Sequence, residues 1–160
     1  PPRSTLFPYT TLFRSVDQGI AALWVSRHIY GGPLSYIGFG GAGKQVRDML
    51  HVDDLLELLL QQSAMLDQVQ GRVFNVGGGR EGSTSLCEMT ALCQQCTGQT
   101  IPIASTTETR AADVPLYITD NSGVESVCTW RPRRSIPCIM EDITRWIKKN
   151  EQALRPIFSA

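Results

Sequence analysis

Gly38 to Asp54 reads GFGGAGKQVRDMLHVDD, and these residues set the fold on either side of them. The glycines let the backbone take conformations that other residues resist. Lys44 and Arg47 place two cations directly behind them, a pattern suited to holding an anion. From Gln45 to His51, apolar Val46 and Met49 or Leu50 alternate with charged neighbours, which predicts an extended segment. Asp53 and Asp54 then open a helix through Leu55, Leu56, Leu58, Leu59 and Leu60, where acids suit the positive end of the helix dipole.

Working outward, Leu34 to Ile37 predicts a short strand before the loop, and Asp17 to Arg27 a helix that ends at Gly31-Gly32-Pro33. Downstream, Arg72-Val-Phe-Asn-Val76 reads as a compact strand delivered into Gly77-Gly78-Gly79, whose glycines are read as backbone needs of the turn. Ser85 with Glu88 three residues on is a capping box for a helix that stops at Gly98. Ile101-Pro-Ile103 predicts another strand, Ser122 to Cys128 a short helix, and Ile136 to Asn150 an amphipathic one. Between the last two, Arg131, Arg133 and Arg134 form a basic knot read as a solvated turn. Strands alternating with helices give an α/β architecture. No strand runs into G-x-G-x-x-G opening a helix, so the chain does not hold a complete dinucleotide-binding unit.

Thr5 to Ser15, TLFPYTTLFRS, matches at every position the translation of a common sequencing-library adapter. Residues 1–15 are therefore read as an artefact and set aside. What remains, 16–160, is enough for one core of ordinary domain size. The first fifteen residues hold two arginines and no acid, so removing them turns the balanced charge slightly negative. That argues against bulk nucleic-acid binding or a polybasic membrane contact. No apolar run is long enough to span a bilayer. Five cysteines, an odd number, in a well-filled α/β chain favour reduced thiols and a cytoplasmic setting. Cys93-Gln-Gln-Cys96 has the spacing of a redox or metal pair, but both residues continue the apolar stripe of Leu86, Met89 and Leu92, so they read as buried structural thiols.

The glycine loop admits three readings. Gly38 to Lys44 satisfies the G-x-x-x-x-G-K spacing of a nucleotide-triphosphate loop, but Gln45 stands where a hydroxyl should bind magnesium, and a strand pattern follows instead of a helix. A second reading is that the glycines merely turn a hairpin. The third is a pocket for a diphosphate, with Arg47 offering the planar fork of N–H donors that lysine cannot copy. Asp48 is then read as fixing the strand or Arg47, and His51 as a packed residue.

The segment Gly38 to His51 resembles a signature of the NAD-dependent nucleotide-sugar epimerases and dehydratases of the extended short-chain dehydrogenase/reductase group. The likeness extends from Asp17-Gln-Gly19 to about Trp146 and includes Arg110-Ala-Ala-Asp113 and the later Trp130-Arg-Pro-Arg turn. By itself an R-x-x-D is a surface ion pair; its order ahead of the Trp130 turn favours the family reading.

The resemblance implies that this is the C-terminal, substrate-binding part of a Rossmann-like enzyme, with the last sheet strands, and that the N-terminal Rossmann half with its NAD is absent. It implies a nucleotide-diphosphate sugar as ligand, a CDP-sugar favoured, held by Arg47, Arg110 and Asp113, with Lys44 and Gln45 fitting the pattern. It also implies a homo-oligomeric parent that epimerises a sugar carbon through a ketone. The family's Y-x-x-x-K pair has no counterpart: Tyr9, Tyr30, Tyr36 and Tyr117 are followed four positions on by Phe13, Leu34, Gly40 and Asn121. The chain alone is thus expected to be inactive and to expose an apolar face where the absent sheet would pack.

Overall fold

The computed structural model describes residues 19–109, 111 and 113–158. The adapter-like segment and Arg110 lie outside the described residues. Among the described residues the elements are, in order, α1 (Ile20–Tyr30), β1 (Leu34–Ile37), a 3₁₀ turn (Phe39–Gly41), β2 (Val46–Asp48), α2 (Val52–Ala64), α3 (Leu66–Val69), β3 (Ser83–Ser85), α4 (Leu86–Thr97), β4 (Ile103–Thr106), β5 (Leu116–Tyr117), α5 (Ser122–Glu125), α6 (Ile136–Lys149) and α7 (Glu151–Phe158). The chain forms two compact units, one from residues 19–35, 89–104 and 140–158, the other from Tyr36–Glu88 and Ser105–Ile139.

The first unit is helical. Trp24 and Val25 of α1, Met89 and Cys93 of α4, and Met140 and Ile147 of α6 supply its buried side chains. The Trp24 indole N–H donates to Thr90 Oγ1 at 2.9 Å, giving the polar tip of a buried aromatic a partner. Burial pushes the Cys93 thiol up to about 12, and also raises Cys96. Neither is a ready thiolate at neutral pH, which fits the structural reading of this pair. Arg27 ties α7 to α1, its Nη1 donating to Phe158 O at 3.1 Å.

The second unit carries a three-stranded sheet in the order β3-β2-β5. β2 runs antiparallel to β3 and parallel to β5, with Arg47 opposite Thr84 on one side and Tyr117 on the other. Leu58, Val69, Val124, Cys128 and Trp130 form its core. The α4 start behaves as its sequence says: Ser85 N and Oγ both donate to Glu88 Oε2, at 2.8 and 2.6 Å, and Glu88 N returns a bond to Ser85 Oγ at 3.3 Å. These bonds hold the Glu88 carboxyl below its ordinary pKa, the Ser85 hydroxyl first and its amide second. Ser85→Ala is expected to cost about 1 kcal/mol in a urea titration.

The structure departs from the sequence reading in places. The strand read at Ile101-Pro-Ile103 forms over Ile103–Thr106 instead, and Arg72–Val76 has no strand assigned among the described residues. A strand exists only through a partner's hydrogen bonds, and Val73 stands 95% exposed. Likewise α2 buries Leu58 while Leu56, Leu59 and Leu60 remain 51–61% exposed. These leucines make an uncovered apolar stripe on a helix read as strongly apolar. Leu56→Lys with Leu60→Glu should leave the melting temperature within a few degrees and reduce self-association in sedimentation velocity; unchanged association would show that this face is not the sticky one.

Candidate functional site

The glycine loop does not turn a hairpin. β1 pairs with β4 whereas β2 belongs to the three-stranded sheet, so the strands on either side of the loop are not neighbours. Nor does the loop open a helix, which removes the triphosphate-loop reading as well. Its conformation explains its composition: Gly38, Gly40, Gly41 and Gly43 all have φ between 66 and 81°, a region that favours glycine. At Gly43 a side chain would also collide with the Tyr36 ring. The loop's groups bond within the protein, Gly38 N to Thr106 O at 2.7 Å and Phe39 N to Thr109 Oγ1 at 2.8 Å. What the loop does is deliver Lys44 and β2.

Arg47 lies in the middle of β2, half-buried. Its Nη1 donates to Val46 O at 2.7 Å and its Nη2 to Val114 O at 2.8 Å. Val114 directly follows Asp113, and Val46 N donates to Pro115 O at 2.9 Å. The guanidinium therefore fastens Val114 and Pro115, the residues after Asp113, alongside β2. Both acceptors are neutral carbonyls. Among the described residues no carboxylate pairs with Arg47, so a partly buried cation is held rigidly with its charge uncompensated. A guanidinium has five N–H donors, which leaves donors for an anion.

Asp113 is exposed beside this contact and Lys44 is exposed at the loop exit. Arg110, the other arginine of the sequence reading, lies outside the described residues. Gln45 is turned inward: it is 8% exposed and its Nε2 donates to Ile37 O. That contact braces the loop on β1 and directs the amide away from solvent. Sequence reasoning missed Thr84 and Tyr117, which flank Arg47 across the sheet in register. Tyr117 is 58% exposed at the strand position paired with Arg47. Two-residue β5 is too short to show the alternation that reveals a strand, so nothing in the sequence paired Tyr117 with Arg47.

The neighbouring polar residues are structural. Asp48 Oδ2 accepts from Gly79 N at 3.0 Å, and Asn121 exchanges a pair of 3.0 Å bonds with Gly77. The three glycines are thus needed for close packing, as read. His51 caps α2, its Nδ1 accepting from Asp53 N at 3.0 Å. Arg134 corrects the solvated-turn reading. It is paired with fully buried Asp54 and reaches Glu57 at 3.0 Å, while Asp54 Oδ2 also accepts from the Arg133 and Arg134 amides at 3.1 and 3.0 Å. Burial pushes the Asp54 carboxyl upward, but the two amides and the guanidinium outweigh it and hold the group below its ordinary value.

Comparison with known proteins places relatives beside this geometry. No family model matches the chain. CDP-paratose 2-epimerase of Salmonella typhi is 26% identical over 136 residues, which is 84% of this chain and 40% of that protein. UDP-glucose 4-epimerase of Neisseria meningitidis serogroup B is 30% identical over 109 residues, 68% of this chain and 31% of the relative. Among solved structures, UDP-glucose 4-epimerase of Thermotoga maritima with UDP-glucose superimposes with a TM-score of 0.67 at 25% identity, over 83% of this chain and 40% of that one. The chain thus spans at most about 40% of the length of these relatives.

Proposed function

The chain belongs to the epimerase/dehydratase family of extended short-chain dehydrogenases/reductases, and on that premise we propose that it is the C-terminal, substrate-anchoring part of a nucleotide-sugar epimerase. The observation that carries this reading is the Arg47 guanidinium, oriented by Val46 O and Val114 O and left without a counter-charge among the described residues. A diphosphate supplies that charge, and a planar fork suits its oxygens. Arg110, which lies outside the described residues, is proposed as a second phosphate donor, Asp113 accepts from a ribose hydroxyl, and Lys44 adds charge at the loop exit. Tyr117 lends the sugar or ribose an aromatic face. Gln45 serves by bracing the loop.

The glycine loop runs into β2 and spends amides on Thr106 and Thr109, which is not the geometry of a dinucleotide loop opening a helix. The cofactor of the whole enzyme would be bound by chain beyond these residues, and this chain's share of the work is to hold the substrate. Holding the diphosphate fixed keeps the reacting sugar carbon in register. A CDP-sugar is the favoured ligand, since the match to CDP-paratose 2-epimerase runs over 84% of the chain. The higher identity to UDP-glucose 4-epimerase supports a UDP-sugar as the second reading.

Two measurements test the proposal. Thermal melting of the chain with CDP-, UDP- and dTDP-glucose should show the largest rise with the CDP-sugar, because a ligand that binds only the native state raises its stability. A larger rise with UDP-glucose decides for the second reading, and no rise with any of the three counts against the anchor. Reading the source DNA upstream of Val16 should recover G-x-x-G-x-x-G and Y-x-x-x-K. A reading frame lacking both would leave a binding protein without the enzyme.

A further inference from the structure

A second polar concavity lies in the same unit and shares no lining residue with the Arg47 site. It is a cleft of about 390 Å³ bounded by the turn from Gly78 to Gly82, by Asn121 and Glu125 at α5, and by the run from Arg131 to Ser135. That volume is within the range of small-ligand pockets, roughly 300 to 1,000 Å³. Four arginines line it against two glutamates.

The charges are not equally available. Arg131 is met by Glu125 at 3.2 Å, and Arg134 turns to Asp54 and Glu57. Arg80 and Arg133 are exposed, and no acid pairs with either among the described residues. The walls around them are fixed. Gly79 N is tied to Asp48, Gly82 N to Gly78 O at 3.2 Å, and the Arg133 amide to Asp54. Two guanidinium groups, unpaired among the described residues, therefore rise from hydrogen-bonded backbone at one cleft. Glu81, exposed on the same lining, offers an acceptor to hydroxyl donors.

We propose that this cleft binds a phosphorylated small molecule bearing hydroxyl groups, its phosphate on Arg80 and Arg133 and its hydroxyls toward Glu81. The site is separate from the diphosphate anchor at Arg47 and stands whether or not that anchor is correct. Guanidinium forks select phosphoryl oxygens over a neutral sugar of equal size.

The test is a titration of the 160-residue chain with glucose 1-phosphate, followed by backbone amide chemical shifts. Saturable shifts at Gly78, Gly79, Gly82 and Ser135 are expected in the wild type and equally in Arg47→Gln. Arg80→Gln with Arg133→Gln should weaken them by roughly tenfold or more, about 1.4 kcal/mol, with an unchanged melting temperature because both side chains are exposed. The proposal is overturned if these amides stay still at millimolar ligand, if glucose alone moves them as much, if the double variant binds as the wild type does, or if Arg47→Gln abolishes the shifts.

Discussion

Asp54→Ala will unfold the second unit far more readily than any substitution on the surface around it. The carboxylate accepts from the amides of Arg133 and Arg134 and from the Arg134 guanidinium, and the backbone oxygen of the same residue accepts from the Trp130 indole at 2.8 Å. Alanine keeps the last bond and removes the others, leaving two amides without their acceptor and the Arg134 guanidinium with only the exposed carboxylates of Glu57 and Asp53. Breaking a buried pair from one side costs about 3 to 5 kcal/mol, a large share of the 5 to 15 kcal/mol that a domain typically has. Asp53→Ala is the matched control, since Asp53 is exposed and about 0.5 kcal/mol is expected there. Equal urea midpoints for the two variants would contradict the role given to Asp54.

The same group sets an acid limit. Its pKa is depressed in the folded chain, so its stabilisation is complete above the unfolded value of about 3.9 and is lost as pH falls through the lower folded value. Stability should therefore fall with acid below about pH 4 in the wild type, and that part of the slope should flatten in Asp54→Asn. Parallel acid limbs in the two proteins would assign the loss to other carboxylates.

How much of this was legible in the sequence depended on how local the cause was. The capping box at Ser85 and Glu88, the stop at Gly98 and the amphipathic α6 are each written within a few residues, and they stand where they were read. Leu34–Ile37 was equally plain. Arg72–Val76 has the composition of a strand, yet composition cannot supply the neighbour that completes a ladder. Asp54 and Arg134 are eighty residues apart, so a helix-start acid and a basic turn gave no sign that they meet inside the core. At the site, the sequence singled out Arg47 by its place behind the glycines. That its guanidinium reaches Val114, and that Tyr117 stands beside it, follow from a parallel pairing of β2 with two-residue β5 that no periodicity announces.

Arg47→Gln carries the second large effect. Glutamine can keep one bond toward a neighbouring carbonyl but has neither the charge nor the second prong. Losing a charge-assisted contact of this kind costs about 2 to 3 kcal/mol of binding, roughly a 30- to 150-fold rise in Kd for a nucleotide-sugar. Stability should move by only about 1 kcal/mol, because one of the two bonds can be kept and both go to neutral carbonyls. Arg47→Lys should recover little of the affinity, since an ammonium restores the charge without the fork. A variant that loses binding only in proportion to its loss of stability would mark Arg47 as a strut for the loop after Asp113.

The most direct measurement is the amide spectrum of the chain titrated with CDP-glucose and UDP-glucose, in the wild type and in Arg47→Gln. A diphosphate anchor at this place predicts saturable shifts at Val46, Arg47, Asp113, Val114 and Tyr117 that vanish with the arginine. Shifts that persist in Arg47→Gln, or amides at these five positions that stay unmoved while ligand binds elsewhere, would contradict it.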